Sequence, residues 1–404
     1  MAIQIEGARA ILPGGVERVS VRVEGGRITG LDTPADGARV IDARGLVLAP
    51  ALVDVHGDAF ERQVMPRPNV FFPTEAAVLE TDRHLAVNGI ATAYHALTLS
   101  WEPGLRSVGR GAEFIDALAA LAPRLTVENR VQLRWETFAF EALDLIERAL
   151  AGPLLPSVAF NDHTSMSMRA FDVPIQQRRF EQSPDYTIAA LDDDRLRQRT
   201  AGNAKRAGLT TDEYIAHLGQ IWERRTEVDA TIRRVAGAGR GRAAPMLSHD
   251  DTQVETRAYY RDLGARIAEF PMTVEVAQAA REAGDAIIFG APNVMRGGSH
   301  IGSPSAGEMV ERGLCDILAS DYFYPAMLAA VARMLADGRG ALHDLWKTVS
   351  SNPAAASGLT DRGEIAPGKR ADLLLLDWPE GHLPAVRLTL SGGRVAYGTE
   401  GVTP

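Results

Sequence analysis

The chain has 404 residues, of which 46% are hydrophobic and 24% charged, the proportions of an ordinary globular protein. Its 43 basic and 52 acidic side chains give a formal net charge of −9. This balance argues against nucleic acid or an anionic membrane as a partner, because both need a basic surface. The single cysteine, Cys315, excludes an intrachain disulfide and a cysteine-rich zinc site.

The first residues and the longest apolar runs predict the cellular compartment of the protein. Residues 1–6 lack the basic start and the apolar core of a secretory signal. No apolar run in the sequence approaches the ~20 residues that a membrane-spanning helix needs. Together with the lone cysteine, this predicts a cytoplasmic protein in a reducing compartment.

Both ends of the chain have the pattern of short β-strands separated by glycine turns such as Gly25-Gly26 and Gly392-Gly393. Segments of this kind lie at 3–5, 19–23, 28–31, 371–377, 388–390 and 394–397. We predict that residues 1–50 and 364–404 form one small, discontinuous β-sandwich domain.

The middle of the chain, residues 51–363, alternates apolar strands with helical segments such as 111–121 and 142–150. The predicted strands lie at 46–53, 91–97, 131–136, 158–162, 246–248, 286–290 and 315–321. Repeated alternation over this length predicts an α/β fold with a parallel sheet, closed into a (β/α)8 TIM-like barrel.

A charged helical insertion is predicted at about 169–242. A helix over 211–225 follows Thr210-Thr211-Asp212-Glu213, which has the pattern of a capping box. The arginines of this section predict a solvated helical surface, with a lid that closes on a polyanion as the alternative. They are Arg178, Arg179, Arg195, Arg197, Arg199 and Arg206.

Candidate metal ligands stand at the C-terminal ends of the predicted strands, where barrel enzymes place their active sites. They are His56, Asp58, Glu136, His163, His249 and Asp321. His56 and Asp58 are two residues apart, so that in a strand both side chains point to one side. One such residue alone is more often structural, but the repetition at six matching positions predicts a metal site.

The residue types indicate the chemistry of that site. Imidazole and carboxylate together suit zinc or manganese, and the two oxygens of Glu136 could bridge a pair of ions. Such an ion lowers the pKa of bound water from ~15.7 to near 7, and Asp321 would take up the proton. Arg62 and Arg67 follow the first two ligands closely, which indicates hydrolysis of an anionic substrate.

Longer stretches around these residues resemble the amidohydrolase superfamily, and more narrowly its diphosphatases of bacterial phosphonate breakdown. The stretches are 56–63, 248–252, 290–293, 296–300, 320–322, 352–355 and 363–373. The resemblance spans almost the whole chain. Residues 165–169, Gln132 and Trp135 depart from the diphosphatase pattern.

The resemblance implies a metal-dependent hydrolase with one or two divalent ions, zinc first and manganese or iron as alternatives. Its substrate would be a small phosphorylated molecule, alpha-D-ribose 1-methylphosphonate 5-triphosphate, from which it would release diphosphate. Implied substrate contacts are Arg62, Arg67, Arg106, Asn293, Arg296, the amides of Gly297 and Gly298, and His300. A homo-oligomer is compatible with the resemblance. His95 is expected either to contact the metal ligands without binding the ion or to contact the substrate.

Two other functions stay open from the sequence. The same metal site could hydrolyse an amide, a lactam or an amino-substituted ring of an anionic small molecule. The chain could also be a catalytically inactive scaffold, although the full set of candidate ligands argues against that interpretation.

Overall fold

The computed structural model describes residues 2–299 and 301–402, so the predicted substrate residue His300 lies outside the described residues. The strands, numbered in chain order, are β1 (Ile3–Glu6), β2 (Arg9–Leu12), β3 (Gly15–Arg18), β4 (Val21–Glu24), β5 (Arg27–Leu31), β6 (Arg39–Asp42), β7 (Val47–Pro50), β8 (Leu52–Gly57), β9 (Ile90–Leu99), β10 (Glu128–Glu136), β11 (Ser157–Asn161), β12 (Met246–His249), β13 (Ile267–Glu269), β14 (Ala286–Gly290), β15 (Ile317–Ala319), β16 (Leu373–Asp377), β17 (Ala385–Ser391) and β18 (Arg394–Gly398).

The α-helices follow most barrel strands. They are α1 (Glu61–Val64), α2 (Thr74–Val87), α3 (Val108–Leu121), α4 (Leu143–Leu150), α5 (His163–Met168), α6 (Asp194–Ala207), α7 (Thr211–Glu223), α8 (Val228–Gly241), α9 (Val254–Asp262), α10 (Val274–Glu282), α11 (Ala291–Arg296), α12 (Ala306–Glu311), α13 (Ala326–Ala336), α14 (Leu342–Lys347) and α15 (Ser351–Ala356). Within the described ranges, no helix is both long enough and apolar enough to cross a bilayer.

Strands β8 to β15 form one sheet in which each strand pairs in parallel with the next. A further parallel bridge between Gly57 and Asp321 joins the two outer strands and closes the sheet. Apolar side chains such as Val53, Tyr94 and Leu247 fill its interior. The predicted (β/α)8 barrel is therefore confirmed.

Two details of the barrel differ from the prediction. The apolar run 46–53 is not one strand, because β7 pairs with β2 and β16 while β8 pairs with β9. The break follows Pro50, where the amide of Ala51 donates to the carbonyl of Asp372. Strand β13 was not predicted, since three residues are too few to show an alternating pattern.

The remaining strands come from the first and last parts of the chain and form two sheets, ordered β5-β4-β1-β6 and β18-β17-β16-β7-β2-β3. Their apolar faces share one core that includes Ile5, Val21 and Leu390. The hairpin of β17 and β18 turns at Gly392 and Gly393, as predicted, and both glycines have positive φ angles.

Helices α6, α7 and α8 lie within the charged section 169–242. The predicted capping box at the start of α7 is confirmed, with Thr210 and Glu213 exchanging side-chain to backbone hydrogen bonds. The predicted solvation is wrong for three of the six arginines, one of which is Arg199, a partly buried side chain that donates to the carbonyls of Ser167 and Arg169. Arg178 is only 2% exposed and donates to the carbonyl of Asp162, and Arg206 pairs with Glu102 inside a cavity.

Candidate metal centre and active site

The closing bridge of the barrel positions the first ligands. The amide of Asp321 donates to the carbonyl of His56 (2.9 Å), and the amide of Asp58 donates to the carbonyl of Asp321 (2.8 Å). The buried carboxylate of Asp54 accepts from the amide and the hydroxyl of Ser320, at 3.0 and 2.5 Å. The backbone therefore holds the three predicted ligands of this seam at one place, although they lie far apart in sequence.

Among the described residues, three groups of side chains at the C-terminal end of the barrel could hold an ion, and the third, His56, His249 and Glu269, shares its histidines with the other two. In each group, donor atoms of the three side chains lie within 4.8 Å of one another. Group A consists of His56, Asp58 and Asp321, and group B consists of His163, His249 and Asp250. Nitrogen and carboxylate donors in sets of three fit a divalent ion such as zinc that keeps an open position.

Glu269, at the end of β13, connects the two groups. Its carboxylate oxygens lie 2.9 Å from Nδ1 of His56 and 2.7 Å from Nδ1 of His249, and Gln132 donates to it at 2.7 Å. Both Nδ1 atoms are thereby occupied, which leaves each Nε2 to face an ion. Burial opposes ionisation, yet the two histidines hold the pKa of Glu269 well below its usual range.

Two of the carboxylates stand on unusual backbone. Asp250 has a φ of 57° and Asp321 a φ of 54°, a region that non-glycine residues rarely adopt. Burial, and next the charge of Asp58, raises the pKa of Asp321 to about 6. Burial alone would raise the pKa of Asp250, but His249 and His163 lower it to about 2. The two carboxylates therefore differ in how readily they accept a proton.

Glu136 lies beside the two groups rather than inside either of them. Its carboxylate accepts from the amides of His163 (3.1 Å) and Thr164 (3.0 Å) and from the Thr164 hydroxyl (2.8 Å). It thus fixes the first turn of α5, which carries His163. Its predicted role as a bridging ligand stays a prediction.

The side chain of Arg134 lies between the candidate ligands of groups A and B. Its Nη2 lies 3.0 Å from Nε2 of His249, its Nη1 lies 3.5 Å from Asp58, and its Nε donates to Asn161 at 3.1 Å. The residue precedes Glu136 by two positions on β10, so that both side chains point into the barrel. A buried guanidinium thus stands between groups A and B.

Two cavities open beside the groups. The first, of about 530 Å³ with its solvent-open part, is lined by Asp250 and Asp321 and by the predicted substrate residues Asn293, Arg296 and Gly298. The second, of about 650 Å³, lies on the side of Glu136 and His163. Helices α6 and α7 contribute Asn203, Arg206 and Tyr214 to its wall, so that the charged insertion borders the site.

The other predicted substrate residues either have hydrogen-bond partners already or lie outside the two cavities. Arg106 lines the second cavity but forms two hydrogen bonds to Glu61, at 2.8 and 2.9 Å. The amides of Gly297 and Gly298 donate to backbone carbonyls at the end of α11, so their contact with phosphate stays a prediction that requires this turn to open. Arg62 and Arg67 are exposed and line neither of the two cavities.

His95 points away from the ligands. Its Nε2 lies 2.7 Å from Oδ1 of Asn129, and its ring packs edge-on against Phe60 and Phe114 outside the barrel interior. Burial lowers the pKa of His95 to about 4, so the ring is neutral at physiological pH. These contacts give it a place in the layer between barrel and helices.

Sequence reasoning missed Asp250, Glu269 and Arg134. Asp250 stood directly beside a predicted ligand, and Arg134 and Gln132 alternate with apolar residues on the same face of β10 as Glu136. That alternation was a usable signal, because an inward row of polar residues is unusual in a barrel strand. Glu269 gave little signal, since its strand was not predicted.

Comparison with known proteins connects this geometry to a family. The chain is 31% identical over 401 residues to the alpha-D-ribose 1-methylphosphonate 5-triphosphate diphosphatase of Escherichia coli (strain K12). That similarity covers 97% of this chain and 99% of the relative. A family model described as amidohydrolase family matches residues 210–397.

Solved structures share the fold. A molinate hydrolase structure has a TM-score of 0.60 at 14% identity, covering 98% of this chain and 94% of its own. A phenylurea hydrolase B structure has a TM-score of 0.62 at 15% identity, covering 98% and 96%. At such low identity these structures show only that the fold is shared. The Escherichia coli relative, which is 31% identical over nearly the whole chain, shows common ancestry. The chain is therefore a hydrolase that belongs to the amidohydrolase family.

Proposed function

We propose that the protein hydrolyses alpha-D-ribose 1-methylphosphonate 5-triphosphate to diphosphate and the 5-phosphate, with the methylphosphonate ester left intact. The observation that carries this proposal is the 31% identity to the Escherichia coli diphosphatase over 97% of the chain. The arrangement of the site supports it, because phosphoryl transfer depends mainly on positioning and on neutralising phosphate charge.

We infer one or two divalent ions as the cofactor, zinc first and manganese or iron as alternatives. Groups A and B each offer imidazole and carboxylate donors, which suit these ions. When bound, such an ion lowers the pKa of water to about 7 and polarises a phosphoryl oxygen. The side chains that would hold it are His56, Asp58 and Asp321 in group A and His163, His249 and Asp250 in group B.

In this proposal Asp321 is the proton acceptor. The oxygen of a water molecule forms a bond to the phosphorus nearest the ribose, and the bond from that phosphorus to the bridging oxygen breaks. Diphosphate leaves, and the proton of the water passes to the Asp321 carboxylate, which borders the first cavity. Asp250 stays ionised and keeps its charge on group B.

Phosphate oxygens would contact the cationic and polar groups of the cavities. Arg296 and Asn293 line the first cavity and Arg106 the second, and guanidinium groups suit phosphate oxygens. We retain the exposed Arg62 and Arg67 as contacts for the outer phosphates. This distribution fits a small anionic substrate despite the acidic net charge of the chain.

The reaction is tested with purified, metal-loaded protein and the ribose triphosphate in water enriched in ¹⁸O. We expect diphosphate release, with ¹⁸O recovered in the ribose 5-phosphate and not in the diphosphate. Recovery of the label in diphosphate would contradict attack at the phosphorus nearest the ribose.

The Asp321→Asn variant is the matched inactive control, since it keeps the size of the side chain and removes the proton acceptor. The same preparations are assayed with an N-acyl amino acid and a cyclic amide. Turnover of either amide without any diphosphate release would replace the proposal with the amide-hydrolysing alternative.

A further inference from the structure

We propose that Arg134 is a catalytic cation that competes with a metal ion for His249 in the substrate-free protein and contacts the reacting phosphate once the ion is bound. The inference rests on the proposed phosphate chemistry. It assigns to this side chain a role that the sequence did not predict.

The first step of the argument is the state of His249. Its Nδ1 lies 2.7 Å from the carboxylate of Glu269, which accepts a hydrogen bond from Nδ1–H. The lone pair of the ring is therefore on Nε2, the atom that lies 3.0 Å from Nη2 of Arg134. The guanidinium thus occupies the lone pair that a metal ion in group B would use.

The second step is that an ion and an N–H group cannot share that one lone pair. Binding of an ion would release the Nη2 donors of Arg134 from His249. The Nε of Arg134 would still be held by Asn161, at 3.1 Å, so the guanidinium would stay beside the site. A planar cation with free donors at this position matches the oxygens of a phosphoryl group.

Two other arginines near the site, both in the wall of the second cavity, are already paired with carboxylates. Arg106 pairs with Glu61 through two hydrogen bonds, and Arg206 pairs with Glu102 at 2.9 Å. Arg134 approaches Asp58 only to 3.5 Å, and that carboxylate would itself turn to an ion in group A. Its charge therefore becomes available to the substrate when metal binds, in addition to that of Arg296 in the first cavity.

The role in the reaction is electrostatic. A P–O bond forms from water and the P–O bond to diphosphate breaks, while the proton goes to Asp321. Arg134 transfers no proton, and its N–H groups offset the charge on the equatorial oxygens of the reacting phosphorus.

The test compares the wild-type protein with Arg134→Met and Arg134→Lys. Arg130→Met is the matched control, because Arg130 lies on the same strand near its start, where it pairs with Glu128. Zinc affinity is measured by titration against a chromophoric chelator. Binding of inorganic pyrophosphate to the zinc-loaded proteins is measured by calorimetry, and kcat is measured with the triphosphate.

We expect Arg134→Met to bind zinc at least as tightly as wild type, because a competing cation is gone. Its pyrophosphate affinity should fall tenfold or more and its kcat by about 100-fold, the usual cost of one donor to a developing oxyanion. Lysine should restore part of the loss, since it keeps the charge but not the planar donors. Arg130→Met should match wild type in all three measurements.

Loss of zinc in Arg134→Met, or unchanged pyrophosphate binding, would overturn this inference. The outcome is separable from the proposed function. A wild-type protein that binds zinc and pyrophosphate but releases no diphosphate would refute the function, while the zinc and pyrophosphate measurements would still decide the role of Arg134.

Discussion

Glu269 is the residue that holds His56 and His249 in one orientation, through hydrogen bonds of 2.9 and 2.7 Å to their Nδ1 atoms. Glu269→Gln should therefore weaken metal binding by about 10- to 100-fold, because an amide holds the two rings less firmly and in a less defined tautomer. Metal titration of the purified variant measures the change. The exposed Glu275, on the following helix, provides Glu275→Gln as a control with unchanged affinity.

If Glu269→Gln kept wild-type metal affinity and stoichiometry, the two histidines would be oriented by other contacts. Circular dichroism of the same sample separates this result from unfolding. The ring stacking of His56 on His249, with centroids 5.5 Å apart, would then be the remaining constraint.

At the scale of elements, the seam between β8 and β15 has no room for an added methyl group. A Cβ on Gly57 would lie 2.6 Å from Oδ2 of Asp54 and 2.9 Å from Oγ of Ser320. Gly57→Ala should therefore destabilise the protein by about 1–3 kcal/mol and lower its metal content, since the bridge to Asp321 must shift. Urea denaturation and elemental analysis measure the two effects.

Gly109→Ala is the matched control, because Gly109 lies in α3 with open space around its Cβ position. It should be neutral or stabilising by up to about 1 kcal/mol, the helix preference for alanine. Equal stabilities of the two variants would show that the seam can widen without cost.

A second element contact joins the start of β10 to the chain after α15. Glu128 lies 2.6 Å from Arg130, 3.0 Å from Arg362 and 2.5 Å from Arg370. Burial would raise the pKa of Glu128, but the three arginines lower it to about 2 from its ordinary value of 4.5. A carboxylate with a lowered pKa in the folded state stabilises the protein above its unfolded-state pKa.

Glu128→Gln should lower the free energy of unfolding at pH 7 by on the order of 3 kcal/mol. The difference from wild type should shrink as the pH falls from about 4.5 to about 2, where the wild-type carboxylate becomes protonated. Denaturant titrations at several pH values test this. Glu113→Gln, which removes an exposed pair with Arg110, should change stability by less than about 1 kcal/mol at any pH.

The order of the barrel could be predicted because most of its strands are apolar runs followed by helical patterns. The site could be predicted less fully. His56, His163, His249 and Asp321 stand at or just after the ends of apolar strands and could be selected from the sequence, whereas Glu269 ends a strand of only three residues. Arg134 belongs to a polar row that the sequence shows, but its contact with His249 joins β10 to β12 across β11 and is not visible from residue spacing.

At the scale of the whole molecule, metal binding should contribute to stability. An ion bound only by the folded state adds about 2.7 kcal/mol at a free concentration 100 times its Kd. Removing metal with a chelator should therefore lower the melting temperature, and zinc or manganese should restore it, because Asp58, Asp250 and Asp321 then regain a neutralising charge. Differential scanning calorimetry with elemental analysis checks both directions.

In Asp321→Asn, which lacks one donor of group A, the difference between chelated and reconstituted protein should be smaller. A melting temperature that is the same with and without metal would mean that the folded protein binds the ion no more tightly than the unfolded chain does.

The closing bridge between Gly57 and Asp321 also determines when group A is complete during synthesis of the chain. The ribosome delivers His56 and Asp58 early, while Asp321 emerges only after every other barrel strand. A nascent chain, or one shortened before residue 321, would therefore lack one donor of group A. We therefore expect no activity from a chain before the ribosome has passed residue 321.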